Sequence, residues 1–222
     1  MSAGIEVLRV AERALLVRFP DAELGDAVER AWRLDARLAR EPLPEGTERV
    51  LGAGNLLLRF ARLPGLDLGA IAARVESLAA SAPRRDRRGG PAPREHRFAV
   101  DYGGAAGPDL EAVAAAAGLA PGRVVELHAG AHYRVAFLGF SPGFPYLIGL
   151  PRELELPRRD APRPRVPAGS VAIAGPFAGV YPSATPGGWH LFGRTDARLF
   201  DPAAAPPAAL APGDLVRFEA RR

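Results

Sequence analysis

Apolar positions in the first eighty residues switch between two periods. "IEVLRV" and "ALLVRF", within residues 4–19, alternate apolar and polar side chains about Glu12 and Arg13, which predicts two short strands. "DAELGDAVERAWRLDARLAR" then repeats Leu24, Ala27, Ala31, Leu34 and Leu38 every three to four positions, on one helical face. Asp21 is the expected N-cap, and Pro42 and Pro44 end the helix. Residues 48–61, "ERVLGAGNLLLRFA", predict two more strands about a glycine-containing turn. Asp67 precedes a second helix with Ile71, Val75 and Leu78 on one side. The order strand, strand, helix, twice over, predicts a small α+β domain: an antiparallel sheet with both helices packed on one face.

The pattern breaks at "SAPRRDRRGGPAPRE", residues 81–95. Arginines, prolines and paired glycines cannot bury apolar surface. Residues 83–93 therefore read as a solvated linker between a domain of residues 1–82 and a second of residues 94–222. In the second, "HRFAVDY" is a strand, and "GPDLEAVAAAAGLA" is a short helix with Pro108 near its first turn and Gly118 past its end. "PGRVVELHAG" adds a helical turn or two. Four short segments follow, separated by Gly and Pro: "YRVAFLGF", "GSVAIAG", "WHLFGRT" and "DLVRFEA". They predict a β-barrel or sandwich.

Composition removes several chemistries. The chain has no cysteine, so disulfides, thiolate nucleophiles and cysteine-held metals are excluded. All 29 basic residues are arginine. Without lysine the chain has no Walker-type phosphate loop and no Schiff-base amine. The net charge is +4, but 25 acidic residues are interspersed with the arginines, so nucleic acid is not expected as a partner. No apolar run approaches the ~20 residues of a membrane helix, and "MSAGIEVLRV" lacks a signal pattern. A cytoplasmic location, with no membrane contact, is the expectation. "HAGAH" spaces His128 and His132 by four, but it lacks a metalloprotease glutamate, and Gly130 interrupts the helix between them. No metal is expected on this chain. Ser170 lies outside any G-x-S-x-G elbow, and by motif alone reads as a turn residue.

Three segments carry the remaining signal. "VAFLGFSPGFPYLIGLP", Val135 to Pro151, crowds glycines and prolines around Phe140, Phe144 and Tyr146. "PRRDAPRPRVPAGSVAIAGP", Pro157 to Pro176, sets Arg158, Arg159, Arg163 and Arg165 on a proline-stiffened extended chain. A guanidinium forks onto carboxylate or phosphate. In "GVYPSATPGGWHLFGRT", Gly179 to Thr195, Gly187 and Gly188 suit a turn with positive φ, flanked by Tyr181 and Trp189. Rings on stiffened loops form pocket walls or partner anchors, or else they fill the barrel.

In this order and spacing, "FLGFSPGFPYLIGLP", "VPAGSVAIAG" and "GVYPSATPGGWHLFGRT" resemble the family of B-type 5-oxoprolinase subunits, also called KipI-type kinase inhibitors or allophanate hydrolase subunit 1. "VDYGGAAGPDLEAVAAAAGL" and "VVELH" fit it too, and "GAGNLLLRF" fits more loosely. The resemblance implies a cyclophilin-like β-barrel for the second domain, similar to the carboxyltransferase domain of urea carboxylase. It implies a subunit of an ATP-dependent 5-oxoprolinase that hydrolyses 5-oxo-L-proline to L-glutamate, acting with a homologous second subunit and a third, metal-dependent one. ATP would be bound by the complex. The family also suggests an inhibitor of a sensor histidine kinase, or a component that processes urea or allophanate. On the enzyme reading, the expected site is a half-site finished by another subunit. His128, Arg158 and Ser170 are its candidate catalytic residues. Phe140, Phe144, Tyr146, Arg165, Thr185 and Trp189 are its candidate substrate contacts.

Overall fold

The period-two segments near the N-terminus become strands β1 (Glu6–Ala11), β2 (Ala14–Arg18), β3 (Glu48–Leu51) and β4 (Asn55–Arg59). The computed structural model describes residues 4–62, 64–80 and 93–221. Most of the linker expected at residues 83–93 lies outside them. The chain divides into two compact units, Met1–Ala92 and Pro93–Arg222.

In the first unit the strands form an antiparallel sheet ordered β1-β2-β4-β3. Helices α1 (Leu24–Leu38) and α2 (Leu68–Ala80) cover one face of it. Alternation decides which residues meet them: Leu15, Val17, Leu56 and Leu58 are buried against Ala27, Ala31, Leu34 and Leu38 of α1 and Val75 of α2. The expected N-cap is displaced, since α1 starts after Glu23, whose side chain makes no capping bond. Asp67 does cap α2, its Oδ1 accepting from Ala70 N at 3.0 Å. Gly54, in the β3–β4 turn, has φ +70, and a Cβ there would lie 2.6 Å from Ala27 Cβ. The turn needs glycine both for its backbone and for the close approach of α1.

The second unit is a closed barrel of β5 (Glu95–Tyr102), β6 (Tyr133–Leu138), β7 (Pro145–Ile148), β9 (Ser170–Ala174), β10 (Phe177–Val180), β12 (His190–Arg194) and β13 (Leu215–Ala220). The order around the wall is β10-β7-β6-β13-β5-β12-β9. The β13–β5 pair is parallel and runs from Leu215↔Glu95 to Ala220↔Val100. The interior is filled by Phe98, Val100, Tyr133, Val135, Leu147, Val171, Ile173, Val180, Phe192, Val216 and Phe218. Helices α3 (Leu110–Ala117) and α4 (Pro121–Gly130) add Val113 and Val124 to this core. Gly118 ends α3 in the left-handed conformation, φ 68. The stretch read as a helical turn or two is the full ten-residue α4.

Strand β9 positions the site. All five of its residues are buried. Val171 and Ile173 face the barrel interior, so Ala172 and Ala174 face outward. Their cover is a second apolar cluster of Phe144, Val166, Tyr181, Trp189 and Leu191, with Tyr146 and Phe177 packed against it. A two-stranded ladder of β8 (Arg163–Val166) and β11 (Thr185–Gly187) supplies part of this outer layer.

Candidate functional site

The β6–β7 connection is a tight loop. Gly139 N donates to Phe144 O at 3.1 Å, Phe144 N to Ser141 O at 3.0 Å, and Ser141 N to Gly139 O at 2.7 Å. Phe140 sits at its tip with φ 66, the one non-glycine residue with positive φ among those described. The residue is 61% exposed. A bulky residue held in the left-handed region costs about 1–3 kcal/mol, and leaving its ring in water forgoes burial as well. The ring still meets Phe144 edge-on at 5.4 Å and Tyr181 at 6.2 Å.

Beneath it lies an edge-to-face lattice. Phe144 meets Trp189 at 5.3 Å, and Tyr146 meets Trp189 at 5.5 Å. Tyr146 also stacks on Phe137, its register partner across β6–β7, at 4.3 Å. Phe144, Tyr181 and Trp189 are buried, Tyr146 is half-buried, and Phe140 is exposed. These rings wall the outer face of β9 rather than the barrel interior. Burial pushes the Tyr181 phenol up, and Tyr146 adds to this, while nearby Arg158 and the Trp189 N–H pull it down.

The four arginines separate. Arg159 and Arg163 are tied to the carboxylate of Asp109, a residue to which the sequence patterns assign no role. Arg158 and Arg165 are exposed and form no ion pair among the described residues. The charges of Arg158 and of clamped Arg163 both act on the Tyr181 phenol. Thr185 pairs with Val166 beside the cluster, and its Oγ1 is buried without a partner among the described residues, as is Ser141 Oγ. Ser170 is buried at the start of β9, where its carbonyl accepts from Tyr181 N at 3.0 Å.

His128 is elsewhere. It is fully buried in the main barrel core, enclosed by Tyr102, Tyr133, Phe192 and Phe218. Burial pushes its imidazole down to about 3, so the ring stays neutral. Its Nδ1 is taken by the Tyr102 hydroxyl, and its Nε2 has no partner among the described residues. No proton can pass between it and a molecule held on the outer face of β9, so the site excludes His128. A second expectation also changes. Gly187 and Gly188 do not adopt positive φ. Gly187 ends β11, where a Cβ would collide with the Tyr181 hydroxyl.

Other features of the chain offer less chemistry. An apolar cleft of about 470 Å³ in the first unit is lined by Leu38, Pro42, Leu43, Pro44, Ile71 and Val75. Arg74 at its edge is already paired with Glu41 at 2.7 Å. Among the described residues no group of three His, Asp or Glu side chains is placed to hold a metal ion, and no helix is long and apolar enough to cross a membrane.

Residues 5–210 match the carboxyltransferase domain family, subdomain C and D. The chain is 44% identical over 209 residues to the B-type 5-oxoprolinase subunit of Escherichia coli O157:H7, covering 94% of this chain and 93% of that protein. The chain belongs to the family of B-type 5-oxoprolinase subunits. The crystal structure of TTHA0988 superposes with a TM-score of 0.75 at 37% identity, over 95% of this chain but 40% of that one. This family member therefore spans well under half the length of a similar solved chain. Kluyveromyces lactis urea carboxylase superposes with a TM-score of 0.76 at 19% identity, covering 98% of this chain and 22% of that protein. That likeness is one of fold.

Proposed function

We propose that this chain is a subunit of an ATP-dependent 5-oxoprolinase that hydrolyses 5-oxo-L-proline to L-glutamate. The observation that carries the reading is the near full-length identity to a protein of that name. The reading includes a homologous second subunit and a third, metal-dependent subunit in the same cytoplasmic assembly. The much longer chain of TTHA0988 supports further polypeptide beside this fold.

An unactivated lactam opens slowly near neutral pH. ATP, when bound by the complex, would supply the phosphoryl group that makes the lactam carbon electrophilic enough for water to add, so that the ring C–N bond can break. The free guanidiniums of Arg158 and Arg165 fit one anionic group each, a substrate carboxylate or a phosphate. With no lysine the chain has no Walker-type phosphate loop, and ATP is assigned to the complex rather than to this chain. Its part is to bind and orient. Exposed Phe140 presents its ring to the apolar side of a small cyclic amide, and half-buried Tyr146 borders the same wall, above the packed Phe144 and Trp189. Thr185 and Ser170 border the same wall.

Reconstitution with the two partner subunits, following glutamate release, tests the reading. Omitting this chain should abolish release, and Arg158→Ala and Arg165→Ala should each lower it at least tenfold. Full activity in both variants removes the arginine assignment. Release without this chain removes the enzyme reading and favours a second one, in which exposed Phe140 anchors a sensor histidine kinase.

A further inference from the structure

The arginines between Pro157 and Val166 have two fates, and one buried carboxylate decides between them. Asp109, just before α3, is 4% exposed. Its Oδ1 accepts from Arg163 Nη2 at 2.6 Å and Arg159 Nη1 at 3.1 Å. Its Oδ2 accepts from Arg163 Nη1 at 2.9 Å and from Leu191 N on β12 at 2.7 Å. Asp109 N donates to Leu191 O at 2.8 Å. A carboxylate has about four acceptor positions. All are used by the protein, so none remains for a ligand. The same segment is also fastened by Arg159 N to Gly188 O and by His190 Nε2 to Pro157 O, both at 2.9 Å.

Those two bonds, one from the backbone and one from the His190 side chain, already fasten the ribbon to residues 188–190. A buried ion triad is a poor source of added stability, and its best-attested use is to fix one arrangement among several. What the triad fixes here is the direction of the chain on either side of the clamped arginines. Arg158 adjoins Arg159, and Arg165 lies two positions beyond Arg163. We infer that Asp109 is a positioning residue, which by clamping Arg159 and Arg163 aims the free guanidiniums of Arg158 and Arg165 at the anionic group of a ligand. The inference rests on the anion-binding reading given under Proposed function.

The test uses the reconstituted assembly. Glutamate release is measured against 5-oxo-L-proline and against ATP for wild type, Asp109→Asn, Arg163→Lys, Arg165→Ala and the Asp109→Asn/Arg165→Ala double variant. Arg163→Lys keeps the charge but loses the fork. One lost charge-assisted bond is worth about tenfold. Asp109→Asn should raise one of the two KM values about tenfold or more while kcat changes less, and the KM that rises identifies the anion. Arg163→Lys should move the same KM by a smaller factor. In the Arg165→Ala background Asp109→Asn should add less than it does alone, because part of its effect passes through Arg165. If Asp109→Asn does not fold, Arg163→Lys decides the matter. Unchanged KM values in folded clamp variants, or independent multiplying effects in the double variant, overturn the inference and leave the enzyme reading standing. A wild-type assembly that releases no glutamate overturns that reading, and the inference with it.

Discussion

The Tyr102 hydroxyl lies 2.8 Å from His128 Nδ1, and His128 is fully buried. Phe192 and Phe218 pack on the imidazole at 4.6 and 4.5 Å. Position 128 is thus a hydrogen-bonded, neutral core residue, and it makes the barrel sensitive to acid.

The sign follows from linkage. Burial lowers the folded-state pKa of His128 to about 3 from an ordinary 6.5. Between those values the unfolded chain binds a proton and the folded chain does not, so stability falls as pH falls through that window. The slope is about 1.4 kcal/mol per pH unit for one such group. Urea midpoints should therefore drop between pH 6.5 and pH 4, and His128→Phe should flatten that part of the profile. An unchanged slope in His128→Phe would assign the acid sensitivity to other groups.

A second carboxylate seals the barrel at the start of its parallel pair. Asp214, 5% exposed, accepts from Arg94 N at 3.1 Å, Arg94 Nη2 at 2.9 Å, His96 Nε2 at 3.1 Å and Ala211 N at 3.0 Å. Burial pushes this carboxyl up, but the bonds from Arg94, Ala211 and His96 outweigh it and hold it below the usual carboxylate range. Its stabilisation is present above the ordinary aspartate pKa and is lost as pH falls through the lowered one. Asp214→Ala strands two backbone N–H groups, and should cost about 2–4 kcal/mol in urea unfolding at pH 7. A loss under 0.5 kcal/mol would show that water replaces the carboxylate freely.

These features differ in how far the sequence discloses them. The first unit's elements were legible because Leu24 to Leu38 keep a helical period and strands β1 to β4 alternate. Barrel strands β6, β9, β12 and β13 were legible as short apolar runs. Strands β7, β8, β10 and β11 were not, because glycine and proline interrupt them and register with neighbours is what makes them strands. The Asp109 clamp spans 50 and 54 positions to its two arginines, a pairing no local pattern encodes. His128 did leave a signal: it follows Val124 by four in "VVELH", which sets both on the buried face of α4. The aromatic corners stand out as a group in the sequence, but only the two-sided burial of β9 shows that they cover the barrel's outside.

Gly187 tests whether the ring lattice is close-packed. A methyl there meets the Tyr181 hydroxyl, while the Gly187 backbone itself has no positive φ to relax. Gly187→Ala should therefore act through Tyr181. Overpacking of this kind costs about 1–3 kcal/mol, and Tyr181→Phe should recover only part of that loss, because Tyr181 Cζ and Cε1 lie 2.9 and 3.0 Å from the added methyl as well. Thermal melts of the two single variants and the double variant measure this. Additive losses would mean that Gly187 matters for another reason.

Phe140 separates function from stability most sharply. Its backbone is strained, and most of its ring is in water, so folding alone gives little reason to keep it. Phe140→Gly removes the left-handed penalty but loses the edge contacts with Phe144 and Tyr181, and the two effects nearly cancel. The melting temperature should stay within a few degrees of wild type, or rise. Phe140→Ala keeps the strain and loses the same contacts, so it should melt below Phe140→Gly, with up to about 1 kcal/mol between them. Both variants should raise the KM for 5-oxo-L-proline by similar factors, because both lack the ring. If both variants kept wild-type kinetics, the exposed ring would have no part in substrate binding. If Phe140→Gly melted well below Phe140→Ala, the backbone at 140 would not be strained, and if both melted well below wild type, the ring would be part of the packing after all.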